Sequence, residues 1–390
     1  MAATKTSAAL AALSQAALTL PAFAAPEVQT DYLYSNYHEQ DIPAGQSARG
    51  RDETRYDIQS HLFRVIAPFD EQSLGLNLTY ESMSGASPWF VTPATDGRPV
   101  QVMSGPSIEE KRIDAQATWS MPLGVTLTGF TLGYSTEDDY RALNGGLEVQ
   151  LDNEDRTLTW TGGLGYSADQ LRPTVGPSSP NVIREADKDT LTAYGGAALV
   201  LDPATVVQAS VGYARNDGYL SDPYKLAWIE SQSNTVPDRR PDGRQAWTVS
   251  AKLRHHLAAP NAALHLDYRY YHDDWDVDAH TMDLAWHQVL AGSWRVTPAL
   301  RWYSQSRAFF YAPYYGSMPA DGYVSSDYRL SPYGAVSARL DVVKSLQRWA
   351  LGAGAEYYVA DADYALKSVN LESPGLVEYL SLQLRLSYRF

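Results

Sequence analysis

The 390-residue sequence contains no cysteine. Disulfides, thiolate metal sites and covalent c-type haem attachment are thereby excluded. Basic residues are in the minority, 31 Lys and Arg against 45 Asp and Glu, leaving a net charge of -14. A chain this acidic is a poor nucleic-acid binder. Past the first 24 residues, no apolar run is long enough for a membrane helix. GxSxG, HExxH and P-loop patterns are also missing, so the common soluble-enzyme centres find no support. Lack of apolar runs does not exclude a membrane barrel, whose hydrophobicity sits in alternate residues and averages away. What the chain has in quantity is amphipathic aromatics, 27 Tyr and 10 Trp. Such rings gather at membrane interfaces, and barrels carry them as girdles.

The two ends point the same way. The start reads MAATKTSAALAALSQAALTLPAFAAPEV. One lysine, Lys5, precedes an apolar run from Ala8 to Leu20; Pro21 breaks it, and Ala22-Phe23-Ala24 fits the small-x-small cleavage rule. This predicts a secretory signal over residues 1–24, cleaved near Ala24, and a single mature domain over 25–390. Loss of Lys5 brings the charge from -14 to -15. The other end reads EYLSLQLRLSYRF. Leu380, Leu382, Leu384, Leu386, Tyr388 and Phe390 share one parity, and Ser381, Gln383, Arg385, Ser387 and Arg389 the other. Period-2 alternation predicts a strand with one apolar face. A terminal strand with Tyr388 and a final Phe390 looks like the assembly signal of bacterial outer-membrane barrels, read by the barrel-assembly machinery.

Alternating segments recur between the ends. Clear cases are Ser73 to Ser82, Lys111 to Met121, Thr157 to Ser167, Val207 to Arg215, Trp247 to Leu257, Leu264 to His272, Tyr328 to Val342 and Trp349 to Val359. Each is about long enough to cross a bilayer at a tilt. The connectors alternate too. PFDE at Pro68, PLG at Pro122, DNED at Asp152, DPAT at Asp202, AAPN at Ala258 and KSLQ at Lys344 are tight turns. Between them run longer connectors, about Ser84 to Ile108, Asp169 to Asp187, Asp217 to Gly243, Tyr311 to Ser325 and Ala362 to Gly375. Short turns on one side and long loops on the other predict an all-β fold: a transmembrane antiparallel β-barrel with short periplasmic turns and long extracellular loops. The count is about 16 strands. The alternative is 14, the least sharply marked strands being the first (Asp31 to Glu39) and the pair around Glu137 to Leu151. Gly162, Gly163 and Gly165 form GGLG inside a strand, where glycine relieves crowding or bends the wall rather than cradling phosphate.

One stretch carries an unusual density of polar chemistry: YRYYHDDWDVDAH, Tyr268 to His280. The strand before it sends Leu264, Leu266, Tyr268 and Tyr270 to lipid, and the stretch becomes a hairpin tip. The YRYYHDDW signature (Tyr268, Arg269, Tyr270, Tyr271, Asp273, Asp274, Trp275) is followed by DAHT with His280. Together with SGASPW at Ser84, GYLSDPYK at Gly218 and the RWYSQSRAFFY run from Arg301 with Gln305, it resembles an uncharacterised family of Gram-negative outer-membrane β-barrel proteins. The resemblance covers essentially the whole mature chain. It implies a barrel, often encoded near a small lipoprotein and redox-related periplasmic factors, and supplies no catalytic residue. From the residues themselves, four readings of the tip stay open. Asp273, Asp274, Asp276 and Asp278 could bind Ca²⁺, although the EF-hand spacing and its glycine are missing. A His/Asp hydrolytic pair lacks a partner constellation elsewhere. A haem or copper role for His272 and His280 lacks soft ligands. The fourth is a polar tip above an aromatic girdle, its carboxylates meeting lumen arginines.

Sorting by parity gives a charged interior: Lys252, Arg254, His256, His265, Asp267, Arg269, Arg301, Arg329, Arg339, Asp341, Glu356, Arg385 and Arg389. A turn at AAPN places Lys252 opposite Asp267. A wet pore with a basic wall favours anions; a salt-bridge lattice in a plugged barrel uses the same charges. The functional expectation is a channel or transport-type barrel for small solutes in the bacterial outer membrane. The alternatives are a scaffold docking a small lipoprotein or periplasmic redox protein in a redox or export pathway, and a surface hydrolase using the tip. No metal, cofactor or nucleic acid is called for.

Overall fold

Period-2 alternation is realised as a closed wall. The structure is a computed structural model and describes residues 27–104, 108–174 and 183–390. The expected signal over residues 1–24 lies outside the described residues. In chain order the strands are β1 (Gln29–Glu39), β2 (Asp57–Phe69), β3 (Gln72–Gly85), β4 (Pro88–Pro93), β5 (Pro99–Met103), β6 (Ile108–Leu123), β7 (Thr126–Thr136), β8 (Tyr140–Asp152), β9 (Leu158–Leu171) and β10 (Ala186–Asp202). They continue as β11 (Thr205–Gly218), β12 (Leu226–Ile229), β13 (Asn234–Pro237), β14 (Gly243–Leu257), β15 (Ala262–Asp273), β16 (Asp278–Leu290), β17 (Trp294–Gln305), β18 (Tyr333–Ser345), β19 (Trp349–Asp361) and β20 (Glu378–Arg389). Sixteen of them form one antiparallel barrel in chain order, and β20 closes on β1 with Gln29 opposite Arg389 and Glu39 opposite Tyr379. The other four make two small hairpins, β4–β5 and β12–β13, inside loops.

The connectors sort by end. The six turns expected from sequence all fall at one end of the wall, and residues 291–293 between β16 and β17 add a seventh. Several need positive φ, supplied by Gly124, Gly292 and the short polar residues Asp70 and Asn261. At the other end lie residues 40–56, 86–104, 137–139, 172–174 with 183–185, 219–242, 274–277, 306–332 and 362–377. The 40–56 connector is a long one that sequence reading passed over. The stretch around Glu137 to Leu151 is one strand, β8, paired with β7. The expected strand from Tyr328 starts only at Tyr333; Tyr328–Leu330 is a 3₁₀ turn whose first residue follows Asp327, a side chain that accepts from the Arg329 N–H.

The outer face is a continuous band of leucines and aromatics, among them Leu76, Leu78, Trp160, Leu164, Leu284, Leu300, Leu382 and Leu384, all exposed. A band this wide is stable only under an apolar medium. Inside, the Tyr194 ring of β10 approaches Gly163 of β9 so closely that a Cβ there would clash with it, and Tyr194 donates its hydroxyl to Glu148. Glycine is required there by close approach.

The buried apolar core sits in the loops rather than in the wall. Trp275, Val277, Ala308, Phe310, Tyr311 and Leu330 form one cluster, and Ala227, Ile229 and Val324 another. Wall residues at the loop end are buried all round the circumference, including Glu39, Tyr140, Asp169, Lys188, Asn216, Asp273, Gln305, Ala335 and Ser381. The loops therefore fold inward and form a layer across that end of the lumen.

Candidate functional site

Two of the charged regions in the lumen frame the candidate site, one in the loop layer and one toward the turn end. In the layer, three acids and three bases meet in a nearly dry lattice. The Asp327 carboxylate accepts from Arg240 Nη2 at 2.9 Å and Arg329 Nη2 at 2.6 Å, with Lys225 Nζ at 4.0 Å. Asp238 accepts from Arg240 Nε at 2.8 Å and from the Ser325 hydroxyl, and Asp222 accepts from Arg329 Nη2 at 2.9 Å. Asp327 and Asp238 have no side-chain exposure, and Lys225 and Arg240 almost none. Buried charge is tolerated only when paired and hydrogen-bonded, which the lattice achieves with three charges of each sign.

The environments differ in sign. Burial raises the Asp327 carboxyl, but Arg329, Lys225 and Arg240 overcome it and hold the group well below the usual carboxylate range. At Asp238 burial wins over Arg240, and the carboxyl is raised. Burial lowers Lys225. The Tyr328 phenol, buried beneath Arg55 at 5.3 Å and near Glu39, is pushed up to about 12. Arg55 also donates to Glu39 at 2.6 Å and to the Gly375 carbonyl at 3.1 Å, so loops 40–56 and 362–377 join the layer.

The segments that carried the family resemblance converge here. Lys225 of GYLSDPYK donates to the carbonyl of Pro88 in SGASPW at 2.7 Å. Trp275 of the tip packs edge-on to Phe310 of RWYSQSRAFFY at 5.1 Å, under the Arg244 guanidinium at 4.5 Å. Gln305 donates to the carbonyls of Ser331 at 2.6 Å and Arg329 at 3.0 Å.

The tip is a hydrogen-bonded turn. Asp273 accepts from the Trp275 and Val277 N–H groups, each at 3.0 Å, from the Tyr271 hydroxyl at 2.6 Å and from Arg244 Nε at 2.7 Å. Asp274 caps the Gln245 N–H at 3.0 Å. Asp278 accepts from the Tyr270 hydroxyl at 2.6 Å and lies 3.0 Å from His272 Nδ1. His280 pairs with the Tyr268 hydroxyl at 2.8 Å on the outer side. Asp273, Asp274 and Asp278 thus serve different partners. Among the described residues the carboxylates that do converge are elsewhere, Glu110, Glu137 and Asp139 at the loop-end rim.

Toward the turn end the lumen is half open. Lys252 is the register partner of Asp267, and Asp267 takes a two-pronged ion pair from Arg254, with Nη2 at 2.9 Å. The rings of His265 and His287 lie 4.0 Å apart. Arg301 pairs with Asp283 at 2.7 Å, and Glu356 accepts from Ser337 at 2.7 Å opposite Arg339. Asp341 bridges Arg339 at 3.1 Å and Arg385 at 3.3 Å. Arg269 faces Ser250 and Thr281 in register, and Arg389 faces Gln29. Arg329 departs from expectation: it belongs to the loop layer, because the chain turns at Tyr328–Leu330 before β18 begins. Tyr388 packs on Trp349 and Phe390, and the Phe390 N–H donates to the Val28 carbonyl at 3.0 Å.

Sequence reading quoted Asp222 and Lys225 within GYLSDPYK but gave them no role, and it missed Asp238, Arg240 and Asp327; all five sit in loops with no periodicity. It also passed over Arg295, although Trp294, Val296, Pro298 and Leu300 mark the opposite parity of its strand.

No curated protein matches the chain in sequence. Solved structures match the fold. CdiB from Acinetobacter baumannii aligns with a TM-score of 0.50 and 9% identity over 93% of this chain and 60% of its own length. The siderophore receptor PirA from Pseudomonas aeruginosa aligns with a TM-score of 0.41 and 11% identity over 85% of this chain and 56% of its own. A bacterial polysaccharide outer membrane secretin gives 0.48 and 10% identity, covering 93% of this chain and 98% of that one. The chain thus spans little more than half of the first two. At such identities the CdiB match supports an outer-membrane-type barrel fold and nothing finer. A family profile spans residues 2–383, and the chain belongs to that family, Protein of unknown function (DUF3570).

Proposed function

We propose that the chain is an integral outer-membrane protein acting as a gated, transport-type barrel for small solutes, closed at rest by its own loops. The outer apolar band matches a hydrocarbon slab, and the turn end corresponds to the periplasm. The observation that carries the reading is the buried lattice of Asp222, Lys225, Asp238, Arg240, Asp327 and Arg329 inside the barrel mouth. It is a balanced polar contact between loops 219–242 and 306–332. Polar interfaces of this kind can be separated into water at modest cost, because each charge regains hydration. Below the layer, Arg254, Arg301 and Arg385 keep partial exposure, which supports a wet interior with a basic wall.

The test is conductance of the purified protein in planar bilayers. Wild type should conduct rarely. A variant with residues 309–326 replaced by a short Gly-Ser linker should conduct steadily and favour anions. If the shortened protein conducts no more than wild type, the transport reading fails. A scaffold role for a periplasmic or lipoprotein partner is favoured instead by the same closure, since a barrel shut toward the outside still opens toward the periplasm. Co-purification of a lipoprotein with a non-conducting shortened variant would select it.

A further inference from the structure

The inner face of β19 is nearly bare at the turn end. Ala350, Gly352 and Gly354 occupy its lumen parity, between β18 and β20. A Cβ on Gly352 would meet Val343 Cγ2 at 3.3 Å and Arg385 Cβ at 3.4 Å, so its neighbours already close over the strand. The bare strip is the floor of a recess of about 380 Å³. Four arginines line it: Arg295 from β17, Arg348 from the β18–β19 turn, and Arg385 and Arg389 from β20. No acidic side chain lines it among the described residues. Arg385 is paired with Asp341 at 3.3 Å and with Gln383 at 2.9 Å. The guanidiniums of Arg295, Arg348 and Arg389 make no ion pair or side-chain hydrogen bond with any described residue. Elsewhere in the lumen Arg254, Arg301 and Arg339 each have a carboxylate.

We infer that this recess is a binding site for a small solute carrying two or more oxyanion groups, phosphate or carboxylate. Register puts Arg295, Val343, Gly352 and Arg385 on one level across four strands. Three strand spacings separate the outer two by about 14 Å along the wall, a span that two long side chains close from either side. Guanidinium forks match carboxylate and phosphate oxygens two at a time. A monoanion would satisfy one fork and leave the others facing each other. A solute with two oxyanions engages opposite sides of the recess and relieves their mutual repulsion. The size suits a small molecule rather than a folded partner. Gln29, Gln347, Ser345 and Ser387 add neutral polar groups at the rim.

The site stands apart from the gating proposal, because it is open from the turn end with the loop layer in place. Binding is measured by titration calorimetry on the purified full-length barrel in neutral detergent at 0.15 M salt. Pyrophosphate and citrate are the probes, one for each source of oxyanion. Saturable binding of one equivalent of either is the expected result, and the tighter probe assigns the group. Arg295→Gln, Arg348→Gln and Arg389→Gln should each weaken it about tenfold, as loss of a charge-assisted contact does. None of the three leaves a carboxylate orphaned, so the barrel should stay folded, checked by heat-modifiable migration. Gly352→Leu keeps every charge and fills the floor; it should abolish binding. Lys252→Gln removes a lumen charge outside the recess and should change little. If neither probe binds, or Lys252→Gln weakens binding as much as the three arginine variants, the charge is a diffuse field and the site is refuted.

Discussion

Asp327→Asn is the sharpest perturbation of the loop layer. The substitution keeps shape and removes one negative charge from a lattice of three acids and three bases. Asp327 is the member shared by Arg240, Arg329 and Lys225. Breaking a buried pair by removing one partner costs about 3–5 kcal/mol, mostly the penalty of the charge left behind. Two features pull toward the lower end. Arg240 keeps Asp238, and Arg329 is partly exposed and keeps Asp222, so both retain an acceptor. About 3 kcal/mol corresponds to roughly a 150-fold shift from closed to open layer, at about 1.4 kcal/mol per decade. Native-state hydrogen exchange reads this locally. Useful probes are the Ala308 N–H bound to Leu330, the Leu330 N–H bound to Asp327 and the Arg239 N–H bound to Val324. These should exchange roughly a hundredfold faster in the variant, with strand amides of β14 to β16 unchanged. Unchanged exchange in the layer would refute the energetic role of the lattice. Equal acceleration in the wall would refute the separation of layer from barrel.

The remaining expectations concern parity and pH. Leu384, 58% exposed on the outer face and near the middle of β20, should not tolerate Arg, at a cost of about 2–4 kcal/mol near the bilayer midplane. Gln383→Arg should be tolerated, with a small repulsion from Arg385, which it now contacts at 2.9 Å; denaturant unfolding in vesicles compares the two, and greater damage from Gln383→Arg would reverse the assigned faces. Acid should loosen the layer: the folded-state pKa of Asp327 is depressed, so its contribution is full above the ordinary carboxylate range and is lost as pH falls below about 4. Asp238, raised by burial, works in the opposite direction, whereas Asp327 is held well below the ordinary carboxylate range. Protection factors of the layer amides should therefore fall from pH 7 to pH 3 while the wall keeps its own, and a rise in layer protection would contradict the sign.

The wall was legible because its determinants are local. Alternation sets which face each residue takes, and turn residues such as Asp70, Gly124 and Asn261 set where strands end. Register followed from one turn, and Lys252 does pair with Asp267 across AAPN. The loop layer was illegible for the opposite reason. Lys225 and Pro88 are 137 residues apart and Arg240 and Asp327 are 87 apart, separations that no local pattern encodes. The small hairpins β4–β5 and β12–β13 lie in segments whose Pro, Gly and Ser content reads as plain connector. Tyr328 and Leu330 misled because they continue the parity of β18, while the Asp327 side chain caps a tight turn and breaks the run. The bare floor beside Arg295 and Arg385 needed the cross-strand level of four strands, which appears only once registers are known.

The hydrogen bond from Arg55 to Gly375 joins residues 320 positions apart. It binds the first loop to the last, and those loops come side by side only after β20 has zipped onto β1. That link between the first and last loops can therefore be completed only after the wall has closed on itself. A barrel halted between those two events would already be inserted and resistant to detergent, yet its mouth would still be open to proteases and solutes. On the proposed reading of a transport-type barrel, the interval between closure and capping would be a transient leak, its length set by how quickly distant loops find one another.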